Sequence, residues 1–138
     1  MKKILIEVSA GELIDKMTIL EIKLEKIENS QSKIEIQREY DSLKITKKES
    51  LDIQNNNSEV DDNKELEKIY KKLKEINNKL WDIENKKRLC EKKSDFNETF
   101  IKLSRDVHFY NDERAKIKLH INNITNSKIK EIKEYTKY

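Results

Sequence analysis

A chain of 138 residues with one glycine, no proline and 41% charged residues is short for two hydrophobic cores and too poor in turn formers for a β-rich fold. Thirty Lys and Arg stand against 27 Asp and Glu, a net charge of +3, and the two signs are interspersed, which marks solvated helix faces and excludes a dedicated nucleic-acid surface. A single cysteine, Cys90, allows no internal disulfide, and MKKILIEV has too short an apolar run for a signal sequence or membrane span, so one all-α domain over 1–138, cytoplasmic and without a membrane contact, is expected.

Residues 3–8, KILIEV, alternate and are rich in β-branched side chains, which predicts a short extended segment. Ser9 with Glu12 three positions on makes a capping box that opens a first predicted helix over about 10–54. Its apolar residues Leu13, Met17, Leu20, Leu24 and Ile27 keep a three-four spacing that resumes after NSQS (29–32) through Ile36, Tyr40 and Leu43. One unbroken helix is favoured, with NSQS as a kink. The polar run QNNNSEVDDN (54–63) is the expected turn.

The second predicted helix, about 63–93, carries Leu66, Ile69, Leu73, Ile76, Leu80, Ile83, Lys87 and Cys90 at alternating steps of three and four, a coiled-coil seam. Asp95 and Glu98 form another capping box before the third, about 96–124, whose seam runs Phe96, Phe100, Leu103, Val107, Tyr110, Arg114, Ile117, Ile121 and Ile124. NITNS ends that helix; pattern assigns no conformation to the tail, 125–138.

The seams can be tested against each other, because antiparallel neighbours pair in one constant register. The second and third pair Leu66 with Ile124, Ile69 with Ile121, Leu73 with Ile117 and Cys90 with Phe100. The first and second pair Leu43 with Leu73, Tyr40 with Ile76 and Ile36 with Leu80. The expected fold is therefore a three-helix, antiparallel, coiled-coil-like bundle with a long helical hairpin. In this register GELIDKMTILE (11–21) projects roughly 16 Å beyond the second helix. With apolar residues on more than one face it needs a cover, and a homodimer through this overhang is expected, KILIEV and the tail being the other candidates.

VSAGELIDKMTILEIKLEKI (8–27), LWDIENKKR (80–88), FIKLSRDVHFYNDERAKIKLHIN (100–122) and EIKEY (131–135) resemble a family of small bacterial proteins, a domain of unknown function. The resemblance marks residues to watch and implies no mechanism; its members accompany surface-polysaccharide genes.

Arg114 stands in an apolar seam, where an unpaired guanidinium is expensive. With Asn111, Lys118 and Asn122 it forms a row of donors suited to a phosphate or carboxylate. The structural alternative is that Arg114 stacks on Tyr40, pairs with an acidic residue of the first helix and fixes register. Asp15, Lys16, Glu21 and Lys23 form a charged cluster that reads as ligand-binding or as ordinary salt bridges. Trp81 and Arg88 would make a stacking platform for a ring-bearing ligand, or a helix-packing tryptophan. Glu25-x-x-Glu28 with Glu49-x-x-Asp52 resembles the magnesium carboxylates of all-α nucleotide pyrophosphohydrolases, but on one continuous helix Glu28 and Glu49 lie about 32 Å apart. His108 and His120 have no metal-site spacing. No metal or cofactor is expected. The sequence thus points to a binding or accessory module with a protein or anionic small-molecule partner. The alternative is a small enzyme or ligand-binding protein for an anionic substrate such as a nucleotide-sugar, with its site at the donor row.

Overall fold

The chain enters its first helix as the capping box predicts: the Ser9 hydroxyl accepts the Glu12 backbone N–H at 3.1 Å and starts α1, Ala10–Lys26. The structure, a computed structural model, describes residues 1–51 and 59–138, with side chains described outside 52–62. α1 does not continue to residue 54. Ile27 turns extended, at φ −82° and ψ 130°, and the chain restarts as α2, Ser30–Leu51. The reason lies in NSQS, a helix start rather than a kink: the Asn29 side-chain oxygen accepts the Ser32 N–H at 2.8 Å, the local bond by which Asn favours a cap over a helix interior. With α3, Glu59–Lys93, and α4, Glu98–Ile124, the described residues form an all-α bundle of four helices, which corrects the expected three. Of the turn expected at 54–63, residues 54–58 lie outside the described residues, and from Glu59 the chain is helical.

α3 and α4 form an antiparallel hairpin in the register of their seams. Ile69, Leu73, Ile117 and Ile121 share one core cluster, and Ile83, Cys90 and Leu103 share a second, on which Phe100 and Val107 pack. α3 ends in a Schellman motif: Ser94 takes the left-handed conformation at φ 51°, with Asp95 N–H donating to Cys90 O and Ser94 N–H to Glu91 O. Asn97, not the predicted Asp95, caps α4 by accepting the Thr99 N–H. Asn126, at φ 52°, ends α4 in the same way as Ser94 ends α3.

The predicted pairing of the second half of the first helix with α3 fails, because α1 occupies that groove. Ala10 and Ile14 join Ile69, Leu73, Ile76, Ile117 and Ile121 in the first cluster, while α2 folds back along α1, where Lys16 pairs with Glu39, and buries no residue of its own. α1 runs antiparallel to α4, with Gly11 at Asn122 and Asp15 at Arg114, and parallel to α3, with Asp15 at Asn77 and Lys26 at Asp82. GELIDKMTILE is therefore the middle of the bundle and not an overhang. Ile14, Met17 and Leu20 are at most 2% exposed, covered from within the chain, which removes the reason for a dimer through this helix. Charged and aliphatic residues alternate tightly here because one short helix faces three others. The part of the fold that overhangs is the tip of the α3–α4 hairpin, past the Lys26–Asp82 contact.

Gly11 is required by this arrangement. A Cβ at that position would meet the Lys118 carbonyl oxygen at 2.6 Å and the Asn122 side-chain oxygen at 2.9 Å, so only a glycine lets the start of α1 approach the α4 backbone this closely. Helix propensity alone would make Gly11→Ala stabilising by about 1 kcal/mol. The packing predicts the opposite sign, a loss of roughly 1 to 3 kcal/mol, to be measured by urea unfolding.

Candidate functional site

α1 carries its polar residues inward at Asp15 and Thr18, which are 2% and 0% exposed. A buried carboxylate needs several donors, and the neighbouring helices supply them. From α4, Arg114 donates through Nε to Oδ1 at 2.9 Å and through Nη2 to Oδ2, a bidentate fork. From α3, Asn77 Nδ2 donates to Asp15 Oδ1 at 2.8 Å and to Thr18 Oγ1 at 2.9 Å, and the Thr18 hydroxyl donates to the Asp15 carbonyl. The bond to Asp15 keeps Arg114 charged against the cost of its burial and raises its pKa.

The start of α1 is equally closed. Helix N-termini leave N–H groups without intrahelical partners. Here Ala10 N–H reaches Ser127 Oγ of the tail, Gly11 N–H reaches Asn122 Oδ1 at 2.7 Å, and Glu12 N–H has Ser9. Glu12 does not complete the capping box with its carboxylate, which turns to Lys118. Lys118, 6% exposed, donates to Glu12 and to Glu131 of the tail, and lies 4.0 Å from Asp15. Burial works against its ammonium, but the two carboxylates outweigh it and raise its pKa.

The predicted donor row is thus brought against the first half of α1, and its groups are engaged within the chain: Arg114 by Asp15 and, at 3.5 Å, Asn111; Lys118 by Glu12 and Glu131; Asn122 by Gly11. Arg114 pairs with an acidic residue of α1, as the structural alternative holds, but Tyr40 is not its stacking partner. Tyr40 and Tyr70 both donate their hydroxyls to Glu21 Oε1, and Lys74 lies 3.2 Å from Oε2. Glu21 is therefore the centre of a second cluster. Lys16 is drawn away to Glu39, and the Lys23 side chain joins neither cluster among the described residues. Burial would raise the Glu21 pKa, yet the two phenols and Lys74 hold it below its ordinary value. The Tyr40 phenol is pushed up to about 12 by burial and by the carboxylate it faces, and Tyr70 is pushed up further for the same reasons.

Trp81, Arg88 and Arg114 line a groove of about 350 Å³ between α1 and α3. Ile19, Ile22 and Leu80 supply its apolar lining, and Asn77, Glu84 and Asn85 its other polar groups. A larger groove of about 1080 Å³ lies between α2 and α3 over Tyr40 and Tyr70. There the rings are already covered, with Lys44 Nζ 5.3 Å from the centre of Tyr40 and Lys47 Nζ 5.6 Å from that of Tyr70. Asp52 of the carboxylate pattern lies outside the described residues, and among the described residues no group of three metal-ligating side chains converges. No described helix is long and apolar enough to cross a membrane.

Asn77, Thr18, Glu12 and Glu131 were not legible as site residues; Glu21 was, but not its pairing with Tyr40 and Tyr70. Asn77 had one readable signal: it lies four residues from both Leu73 and Trp81, on the flank of the α3 seam.

The chain belongs to a family of unknown function, DUF6165, whose model matches residues 3–138 and so takes in the N-terminal segment and the tail as well as the four helices. No curated protein and no solved structure matches it.

Because the folded-state pKa of Glu21 is depressed, its contribution to stability is present above the ordinary value of 4.5 and is lost as pH falls through the lower folded value. Glu21→Gln removes that titration. Urea midpoints measured between neutral pH and about pH 3 should fall more steeply below pH 4.5 in the wild type than in Glu21→Gln.

Proposed function

We propose that the protein is a binding module that takes an anionic, ring-bearing small molecule of the nucleotide-sugar class in the groove of Trp81, Arg88 and Arg114. The observation that carries this reading is that Trp81, Arg88 and Arg114 line a single groove with apolar walls. An indole offers a ring face for stacking, and guanidinium forks match phosphate and carboxylate oxygens. Asp15 grips Nε and Nη2 of Arg114, so the fork is held in place, while among the described residues Nη1 has only the 3.5 Å contact with Asn111. Arg88 is largely exposed and lies 4.0 Å from Glu84, a weak surface pair that a ligand anion can displace. A nucleotide-sugar also agrees with the association of the resembling family with surface-polysaccharide genes.

The donor row itself is a poorer site. Lys118 and Asn122 are 6% and 1% exposed and already bonded, so an anion there would have to displace Glu12 or Glu131. The reading is of binding without chemistry, since the acids and bases of the buried Asp15 cluster and of the half-buried Glu21 cluster are engaged with one another.

Trp81 is the one tryptophan of the chain, so its fluorescence reports directly on the groove. Titration with nucleoside-diphosphate sugars should change that fluorescence and raise the melting temperature, and Arg88→Ala should weaken binding about tenfold or more. Unchanged fluorescence and melting temperature across the panel, or an affinity unaffected by Arg88→Ala, would refute the site.

A further inference from the structure

Residues 1–8 lead into α1 outside any helix, with no strand partner among the described residues, and Ile4, Leu5 and Ile6 are 77%, 84% and 77% exposed. The segment is rooted firmly. Ser9 and Ala10 directly after it are buried at the centre of the bundle, with Ala10 N–H bonded to Ser127. The family match begins at residue 3, so the segment is part of the shared domain. Four apolar residues, three of them β-branched, with backbone donors and acceptors unpaired among the described residues, are a template for another strand.

The order of charges says which strand. Lys3-Ile4-Leu5-Ile6-Glu7 is antisymmetric about Leu5. When two copies lie antiparallel about that residue, Lys3 stands opposite the second copy's position 7, a glutamate, at both ends; Ile4 stands opposite Ile6, and Leu5 opposite itself. Parallel in-register pairing would set lysine on lysine and glutamate on glutamate, and an antiparallel slip of two residues in either direction loses both charge pairs. We propose that residues 3–7 pair with the same residues of a second copy of this chain as a two-stranded antiparallel ribbon centred on Leu5. The contact is isologous and closes as a dimer. Ile4, Ile6 and Val8 share one face by the two-residue period of a strand. That face needs cover, because a bare two-stranded ribbon is marginal in water. Ile129 is 41% exposed and its carbonyl accepts from Ser127, the residue bonded to the root of the segment, so the tail offers an apolar side chain close by.

Sedimentation equilibrium of the full chain at up to about 100 µM tests the proposal. The wild type should be a dimer. Lys3→Glu and Glu7→Lys each create two like-charge pairs and should weaken association roughly tenfold, with helical content unchanged because the segment lies outside the helices. The double variant Lys3→Glu/Glu7→Lys restores opposite charges and should recover the wild-type association, and an equimolar mixture of the two single variants should form a heterodimer tighter than either alone. A monomeric wild type overturns the proposal. So does a dimer indifferent to the single reversals, or a double variant no tighter than the single ones.

Discussion

The bundle depends on one buried carboxylate. Asp15 sits on the helix that touches all the others, and removing it from water is tolerable only if its oxygens meet donors in good geometry. Asn77 from α3 and Arg114 from α4 meet that need together, so the rotation of α1 and its position between α3 and α4 are set by one atom group. Aliphatic packing in the adjoining cluster of Ile14, Leu73 and Ile121 would accept several arrangements of comparable volume. The directional bonds of the carboxylate accept one.

Other features follow from that placement. With α1 fixed by Asp15, its first turn lands on α4 at Lys118 and Asn122, where Gly11 has no room for a side chain and the free N–H groups must find partners away from water. Asn122 and Ser127 provide them, and the Schellman turn at Asn126 is what carries Ser127 back to Ala10. The tail then passes along α4, giving Glu131 to Lys118 and ending with Tyr138 against His108, Phe109 and Asp112. Among the described residues no buried side-chain nitrogen or oxygen is left without a partner.

The parts of this architecture legible in the sequence are those controlled by local chemistry or by one helix pair. Ser9 announces the start of α1, and the alternating seam from Leu66 to Cys90 fixes the α3–α4 register, because both signals are local or periodic. The break after Lys26 was hidden: apolar spacing continues through it, so periodicity alone reads as one helix, and the deciding feature is the Asn29 cap. One rod through α1 and α2 leaves the start of α1 without a partner in the chain and calls for a second copy, whereas the three-residue connection folds α2 back and drops α1 into the core. Arg114 and Asp15 were each conspicuous as charges among apolar residues, but their pairing across 99 positions has no sequence period. The Glu21 cluster was less visible still, since Tyr40 and Tyr70 look like ordinary seam or flank residues until three helices converge on one oxygen.

Arg114 belongs both to the groove of Trp81 and Arg88 and to the buried carboxylate, since it lines the groove and binds Asp15 through Nε and Nη2. Fold and proposed site thus share one ion pair. Its strength is measured most directly by a double-mutant cycle of Asp15→Asn and Arg114→Met in urea unfolding at neutral pH. Each single change leaves an uncompensated charge and should cost roughly 1 to 4 kcal/mol, while the double variant leaves none and should lose at least about 1 kcal/mol less than the two losses added. Additive losses, or single variants as stable as the wild type, would contradict the claim that this pair organises the bundle.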